Sequence, residues 1–280
     1  MEHLERKYKA HISKVLLDGF EQELLESAFV NLKTVCSLRF NNFAYALREL
    51  LRHVLHRLSP DNEVSQCVWF KPDPSSKTGF TRVHRMKYAI QGGLSDAYLE
   101  KKLGLNNILE ITNELRNIID LLSEYTHIEQ SNFNLDIKEI ERNSTECLDA
   151  VVKFVGIIAT TKAKVIEMIS GEIDQTLVNR VVCESVCEIM ELSTHQSIEH
   201  IYSDEVNVQS IGSKSLVLNV TGNLECELQY GSGSDLRRGD GVVIPESFPF
   251  SGIITVEFIA PLGSSMKVDK LKVDTSSWYE

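Results

Sequence analysis

The residues best suited to acid–base chemistry are gathered in one stretch, Arg48-Glu49-Leu50-Leu51-Arg52-His53-Val54-Leu55-His56-Arg57. An imidazole can take or give a proton near neutral pH, and a guanidinium holds a phosphate through its forked N–H donors. Together they suit proton transfer at a phosphodiester whose developing charge must be stabilised. The same stretch has helical periodicity. Phe43, Ala46, Leu47, Leu50, Leu51, Val54, Leu55 and Leu58 form one apolar stripe over residues 42–58, and Pro60-Asp61-Asn62 stops it. On a continuous helix five positions turn through about 500°, so Arg48 and His53 point roughly 140° apart. Arg48, Arg52 and His56 lie four apart and share a face. If one face is catalytic, Arg48-Arg52-His56 is expected to form it, with His53 an adjacent candidate. The competing reading is a solvated basic face opposite the stripe.

The four residues between Arg48 and His53 give a spacing that resembles the Arg-x(4-6)-His motif of HEPN ribonucleases, which are small helical bundles. The resemblance implies a histidine assisting proton transfer at an attacking 2′-hydroxyl, an arginine stabilising the phosphate, and no metal or other cofactor. A second basic group, Arg82, His84, Arg85, Lys87 and Tyr88, follows Trp69, Phe70 and Lys71. Cations flanking aromatic rings can bind phosphates and stack a base. An interdomain or oligomer contact fits the same residues equally well. Arg116 and His127 are eleven apart. They share a helical face at about 16 Å and can line a groove without reaching one atom. A histidine that simply caps the helix is the alternative.

A third group is the loop Gln229-Tyr230-Gly231-Ser232-Gly233-Ser234-Asp235-Leu236-Arg237-Arg238-Gly239-Asp240-Gly241. Backbone amides in such a loop can cradle an anion. It is not a Walker loop, because no Gly-Lys-Ser/Thr follows, and no dinucleotide fingerprint, because no helix is expected after it. Asp235 and Asp240 can reach a divalent ion, but the third carboxylate of an EF-hand pattern is missing. A structured turn with Asp–Arg contacts, Arg237 among them, is the competing reading. The six cysteines show no metal-ligand spacing beyond Cys183 and Cys187 and are expected to be buried apolar thiols. No metal site is expected.

Several elements must position these groups. Residues 3–37 read as one or two amphipathic helices, 59–81 as a loop-rich insertion, 82 to about 92 as a short basic helix, and 105–125 as a strong helix. Asn143-Ser144-Thr145-Glu146 resembles a capping box before a helix at 144–169, with a last helix at 173–201. Alternation then replaces helical period. Leu216, Leu218 and Val220, then Leu224, Cys226, Leu228 and Tyr230, suggest two strands joined by a turn at Thr221-Gly222-Asn223. Residues 253–259, as a strand buried on both faces, and 267–273 follow. The fold class is α+β: an all-α helical bundle over residues 1–203, then a small antiparallel β-sandwich-like domain over 204–280.

The net charge of −11 rules out a surface that traps nucleic acid everywhere, so a local patch must carry any such binding. The charged N-terminus has no apolar signal core. The longest apolar run, Val151 to Ala159, is broken by Lys153 and too short for a bilayer. A cytoplasmic protein without membrane association is expected.

Asn42-Phe43-Ala44-Tyr45-Ala46-Leu47-Arg48-Glu49-Leu50, Cys67-Val68-Trp69-Phe70, the loop from Gln229 through Gly241, and Glu246-Ser247-Phe248-Pro249-Phe250 resemble the predicted pPIWI-associating nuclease family. The resemblance covers most of the chain and implies a bacterial defence context. Its HEPN-like reading implies a metal-independent endoribonuclease acting on RNA, paired as a dimer or other homo-oligomer, with other defence-system proteins as partners. The alternative is a non-catalytic adaptor whose helical part oligomerises and whose β domain recognises a partner or ligand.

Overall fold

The structure, a computed structural model, describes residues 1–183, 186–193, 195–259 and 262–279. It divides into two compact units, Met1–Lys162 and Ala163–Glu280.

In the first unit, residues 3–37 form two helices, α1 (Glu2–Ser13) and α2 (Phe20–Lys33). The next helix, α3 (Arg39–Leu58), is the organising element. It packs against α2, α5 (Arg82–Gln91) and α7 (Ile108–Tyr125). Its predicted stripe is inside, with Phe43, Leu47, Leu50, Leu51, Val54 and Leu55 all buried. Arg57 fastens α3 to the start of α2. Its guanidinium donates to both Glu21 carboxylate oxygens at 2.8 Å and to the Val15 carbonyl at 2.7 Å. Burial pushes the Glu21 carboxyl up, but these bonds and the Leu17 N–H outweigh it and hold the value below normal. Two short helices, α4 (Asp61–Val64) and α6 (Asp96–Lys101), flank α5. Thr81 caps α5 in a reciprocal box with His84.

One helix, α8 (Ile137–Cys183), takes in the helix expected at 144–169 and the first part of the one expected at 173–201. It begins earlier because Asp136 accepts from the Lys138 and Glu139 amides. Asn143 is therefore an interior residue and not a cap; its amide donates to the Tyr125 hydroxyl. The helix continues through Gly171 because the apolar stripe Val165, Ile169, Ile173, Leu177 and Val181 is buried on both sides of it. One glycine costs a helix only about 1 kcal/mol.

The second unit holds one antiparallel sheet of order β1-β2-β3-β4: β1 (His195–Ile211), β2 (Ser215–Tyr230), β3 (Val242–Glu257) and β4 (Met266–Val273). Two short helices, α9 (Cys187–Met190) and α10 (Gly233–Arg238), precede β1 and β3. The sheet buries one face, including Leu218, Leu224, Leu228, Phe250 and Ile254. Asp174 bonds to Ser203, and Thr176 touches Met266. The layer facing the sheet is therefore the end of α8 rather than a second sheet. The strand expected to bury both faces lies in β3 and buries one, through Ile254 and Val256.

Part of the expected 173–201 helix is β1. Register shifts between Ile198 and His200, Ser203 and Glu205, and Val208 and Ser210 each reverse the alternation. Its two-residue period is therefore hidden. The expected turn at Gly222 is the middle of β2, opposite one of these bulges. A Cβ at Gly222 would run into the Tyr202 carbonyl and the Phe250 ring. The glycine serves close strand approach, not chain reversal.

Cys67, Cys147 and Cys226 are buried as expected, and burial pushes their thiols up to about 12, about 12 and about 11. Cys36 and Cys187 are exposed, contrary to expectation. The Cys183 side chain lies outside the described residues. No helix among the described residues is long and apolar enough to cross a membrane.

Replacing Gly222 with Val should destabilise the protein by about 3 kcal/mol, the cost of forcing atoms into a packed site. Urea unfolding followed by circular dichroism measures it, and an unchanged midpoint would contradict the close approach.

Candidate anion-binding site

Because the apolar stripe of α3 is buried, its opposite face is directed outward. Arg48, Arg52 and His56 line a cavity of about 220 Å³ there. The N-terminal half of α5 adds Arg82 and Arg85, one turn apart, and Leu55 and Ile119 supply the apolar surface. Two basic groups separate in sequence thus meet in one place, because α5 packs on both α3 and α7.

Each guanidinium is tied to an acceptor. Arg85 is buried, at 8% exposure, and donates to the Ser59 carbonyl at 2.8 Å and to Asp61 at 2.6 Å. Its own carbonyl accepts from the Ser59 hydroxyl at 2.6 Å. This reciprocal pair joins the end of α3 to α5. Glu49 bridges the other two arginines on α3, taking Arg48 Nη2 at 2.8 Å and Arg52 Nε at 2.9 Å. Burial pushes the Glu49 carboxyl up, and the two arginines more than offset this, leaving it below the usual range. Arg82 pairs with the exposed Asp120 at 2.6 Å. Arg48 Nε is shielded from solvent and has no hydrogen-bond partner. A buried donor left unpaired is costly, so an acceptor supplied by a ligand would relieve that cost.

His56 is held below the ordinary histidine range, first by partial burial and then by Arg85, Arg52 and His53, with Asp61 acting in the opposite sense. Partly buried beside permanent cations, it is neutral at neutral pH. It hydrogen-bonds to no described residue, so a nitrogen lone pair is free to accept a proton.

The other expected residues lie elsewhere. His53 turns away from the cavity, as the helical angle requires. Its ring packs edge-on against Phe20 with centroids 4.9 Å apart, and its Nε2 lies 3.1 Å from Arg52 Nη2. Lys87 faces a different cavity, where it pairs with Asp96 at 2.7 Å beneath the Trp69 ring. Arg116 and His127 are exposed and line neither cavity. In the glycine-rich loop, Ser232 caps α10 in a reciprocal box with Asp235, and Asp235 pairs with Arg238, which also pairs with Asp240. Arg237 is exposed. That loop forms a turn whose carboxylates are occupied by Arg238, a residue sequence reasoning had not favoured. Among the described residues, no three His, Cys, Asp or Glu side chains gather as a metal site.

Glu49, Ser59, Asp61 and Asp120, the acceptors that hold the arginines, are not among the residues expected at the site. Glu49 was findable, since it lies within one helical turn of both Arg48 and Arg52. Asp61 carried only a helix-stop signal.

Fold and site define a helical unit with an arginine-lined cavity, followed in the chain by an antiparallel sheet. Two family models, each described as predicted pPIWI-associating nuclease, match residues 13–151 and 158–279, and the chain belongs to that family. The cavity residues all fall within the first match. No curated protein and no solved structure matches the chain.

Glu49 ties the site to stability. Its folded-state value is lowered, so its contribution is complete above the ordinary carboxylate range and is lost as pH falls through the folded value. Glu49→Gln should flatten that acid limb of the stability–pH curve in chemical denaturation. An unchanged limb would contradict the bridge.

Proposed function

We propose that the chain is a metal-independent endoribonuclease and that the cavity between α3 and α5 is its active centre. The convergence of four arginines with one neutral imidazole on a single cavity carries this reading. His56 takes the proton of a ribose 2′-hydroxyl, and the 2′-oxygen attacks the adjacent phosphorus. Arg48, Arg52 and Arg85 bind the non-bridging oxygens as negative charge builds there, and Arg82 extends the cationic wall toward the entry. The P–O5′ bond breaks, the 5′-oxygen takes a proton from water, and a 2′,3′-cyclic phosphate remains. His56 then returns its proton to solvent. Four guanidiniums repel a divalent cation, so the charge that a metal would neutralise falls to them.

His53 acts through Arg52 rather than at the phosphate. Pairing of two chains, other defence-system proteins as partners, and anti-phage defence as the setting belong to the same proposal. They rest on the resemblance to HEPN bundles and to the family.

A second reading, a non-catalytic module that binds phosphorylated or nucleic-acid ligands, is favoured by the presence of only one imidazole in the cavity lining.

The test is cleavage of a single-stranded RNA by the full chain in EDTA. His56→Ala should slow cleavage by about 10²–10⁴-fold, the usual worth of a general base. Loss of cleavage on chelation, or full activity in the His56→Ala and Arg52→Ala variants, would overturn the proposal. RNA binding without cleavage, abolished by Arg52→Ala, would establish the second reading. The wild-type rate should also fall only as pH drops below the ordinary histidine value of about 6.5, because His56 is shifted down and must be neutral to act. An acid limb above that value would contradict His56 as the base.

A further inference from the structure

A second cavity, of about 160 Å³, lies on the other flank of α5, between α5, α6 and the start of α7. Its character differs from the first. Leu99, Leu105, Ile108 and Leu109 make apolar walls, and Lys87, Gln91, Asp96, Glu100, Asn106 and Thr112 are the polar groups of the lining. Lys87 is fixed between Asp96, at 2.7 Å, and the Trp69 ring, at 4.6 Å from the ammonium to the ring centroid. The Asn106 amide hydrogen-bonds to no described residue, which leaves a donor and an acceptor side by side at an apolar slot.

The two cavities share α5 and α7. Arg82 and Arg85 of α5 face the first, and Lys87 faces the second. Arg82 and Lys87 are about 7.5 Å apart along the helix axis and about 140° apart around it, so a nucleotide reaching both cavities passes around α5. A cationic cavity beside an apolar slot with a polar edge matches the chemical division of a nucleotide. Its phosphate is charged, its base is flat and apolar-faced, and its base edge carries donors and acceptors.

We infer that this second cavity is a nucleobase pocket, taking the base next to the phosphate held by the arginines. The apolar walls pack the base faces, and Asn106 reads the base edge through paired donor and acceptor, as side-chain amides do. Lys87, held in place by Asp96 and Trp69, is positioned to donate to a base oxygen. This inference rests on reading the first cavity as a phosphodiester site.

The test uses free nucleosides, which carry no phosphate, so the second cavity reports independently of the first. Adenosine, guanosine, cytidine and uridine are titrated separately into the full-length protein by saturation-transfer NMR, and inorganic phosphate is titrated in parallel. At least one nucleoside should bind, with affinity differing among the four. Leu109→Glu, at an exposed rim position, should weaken binding by about tenfold or more, because a base packed against that wall would have to desolvate the new carboxylate. Asn106→Ala should reduce discrimination among the four. Phosphate binding with no nucleoside binding, or nucleoside binding unaffected by either variant, would overturn the base pocket. Nucleoside binding without phosphate binding would support this pocket and overturn the phosphate reading of the first cavity.

Discussion

Like-charged guanidiniums repel one another, so four of them can line one cavity only if each is held by an acceptor. Glu49 holds Arg48 and Arg52, Asp61 and the Ser59 carbonyl hold Arg85, and Asp120 holds Arg82. The ties differ in strength. Arg82 and Asp120 form an exposed pair of small worth. Arg85 is buried, and its bonds to the end of α3 fix the angle at which α5 meets that helix. Three carboxylates against four guanidiniums leave an excess of positive charge, and Arg48 Nε still lacks an acceptor. The cavity is thus held in shape without its charge being cancelled, which is the condition an anion site requires. Partial burial, and after it the same cations, hold His56 below the ordinary histidine range.

This arrangement depends on the two-sidedness of α3. Burying its apolar stripe leaves the i, i+4, i+8 row of Arg48, Arg52 and His56 as the available face. His53 lies off that row and became a packing partner of Phe20. The Arg48–His53 spacing that resembles a ribonuclease motif therefore does not describe the geometry here. The three-residue row does.

The row was legible in the sequence because helical angles are local. So were the limits of α3, from its stripe and Pro60, and the basic start of α5. The meeting of α5 with α3 was not legible, since it depends on a tertiary contact through Ser59 and Asp61. Lys87, grouped with Arg82 and Arg85 by sequence, turns to another cavity because it points about 140° from Arg82 and about 160° from Arg85 around α5. In the second unit, three bulges in β1 hid a strand inside an apparent helix. Gly222 looked like a turn because its partner, the crowding carbonyl of Tyr202, is twenty residues away. The interior of α8 likewise contained residues that read as a cap and a break, and continuous burial overrode both.

The most direct test of the central claim is a crystal structure of the full chain with a short RNA whose 2′-hydroxyls are methylated, so that it binds without being cleaved. The account predicts a phosphate within hydrogen-bond distance of Arg48, Arg52 and Arg85, with the 2′-oxygen of the adjacent ribose facing His56. An RNA phosphate seated elsewhere, with the α3–α5 cavity left empty, would contradict it.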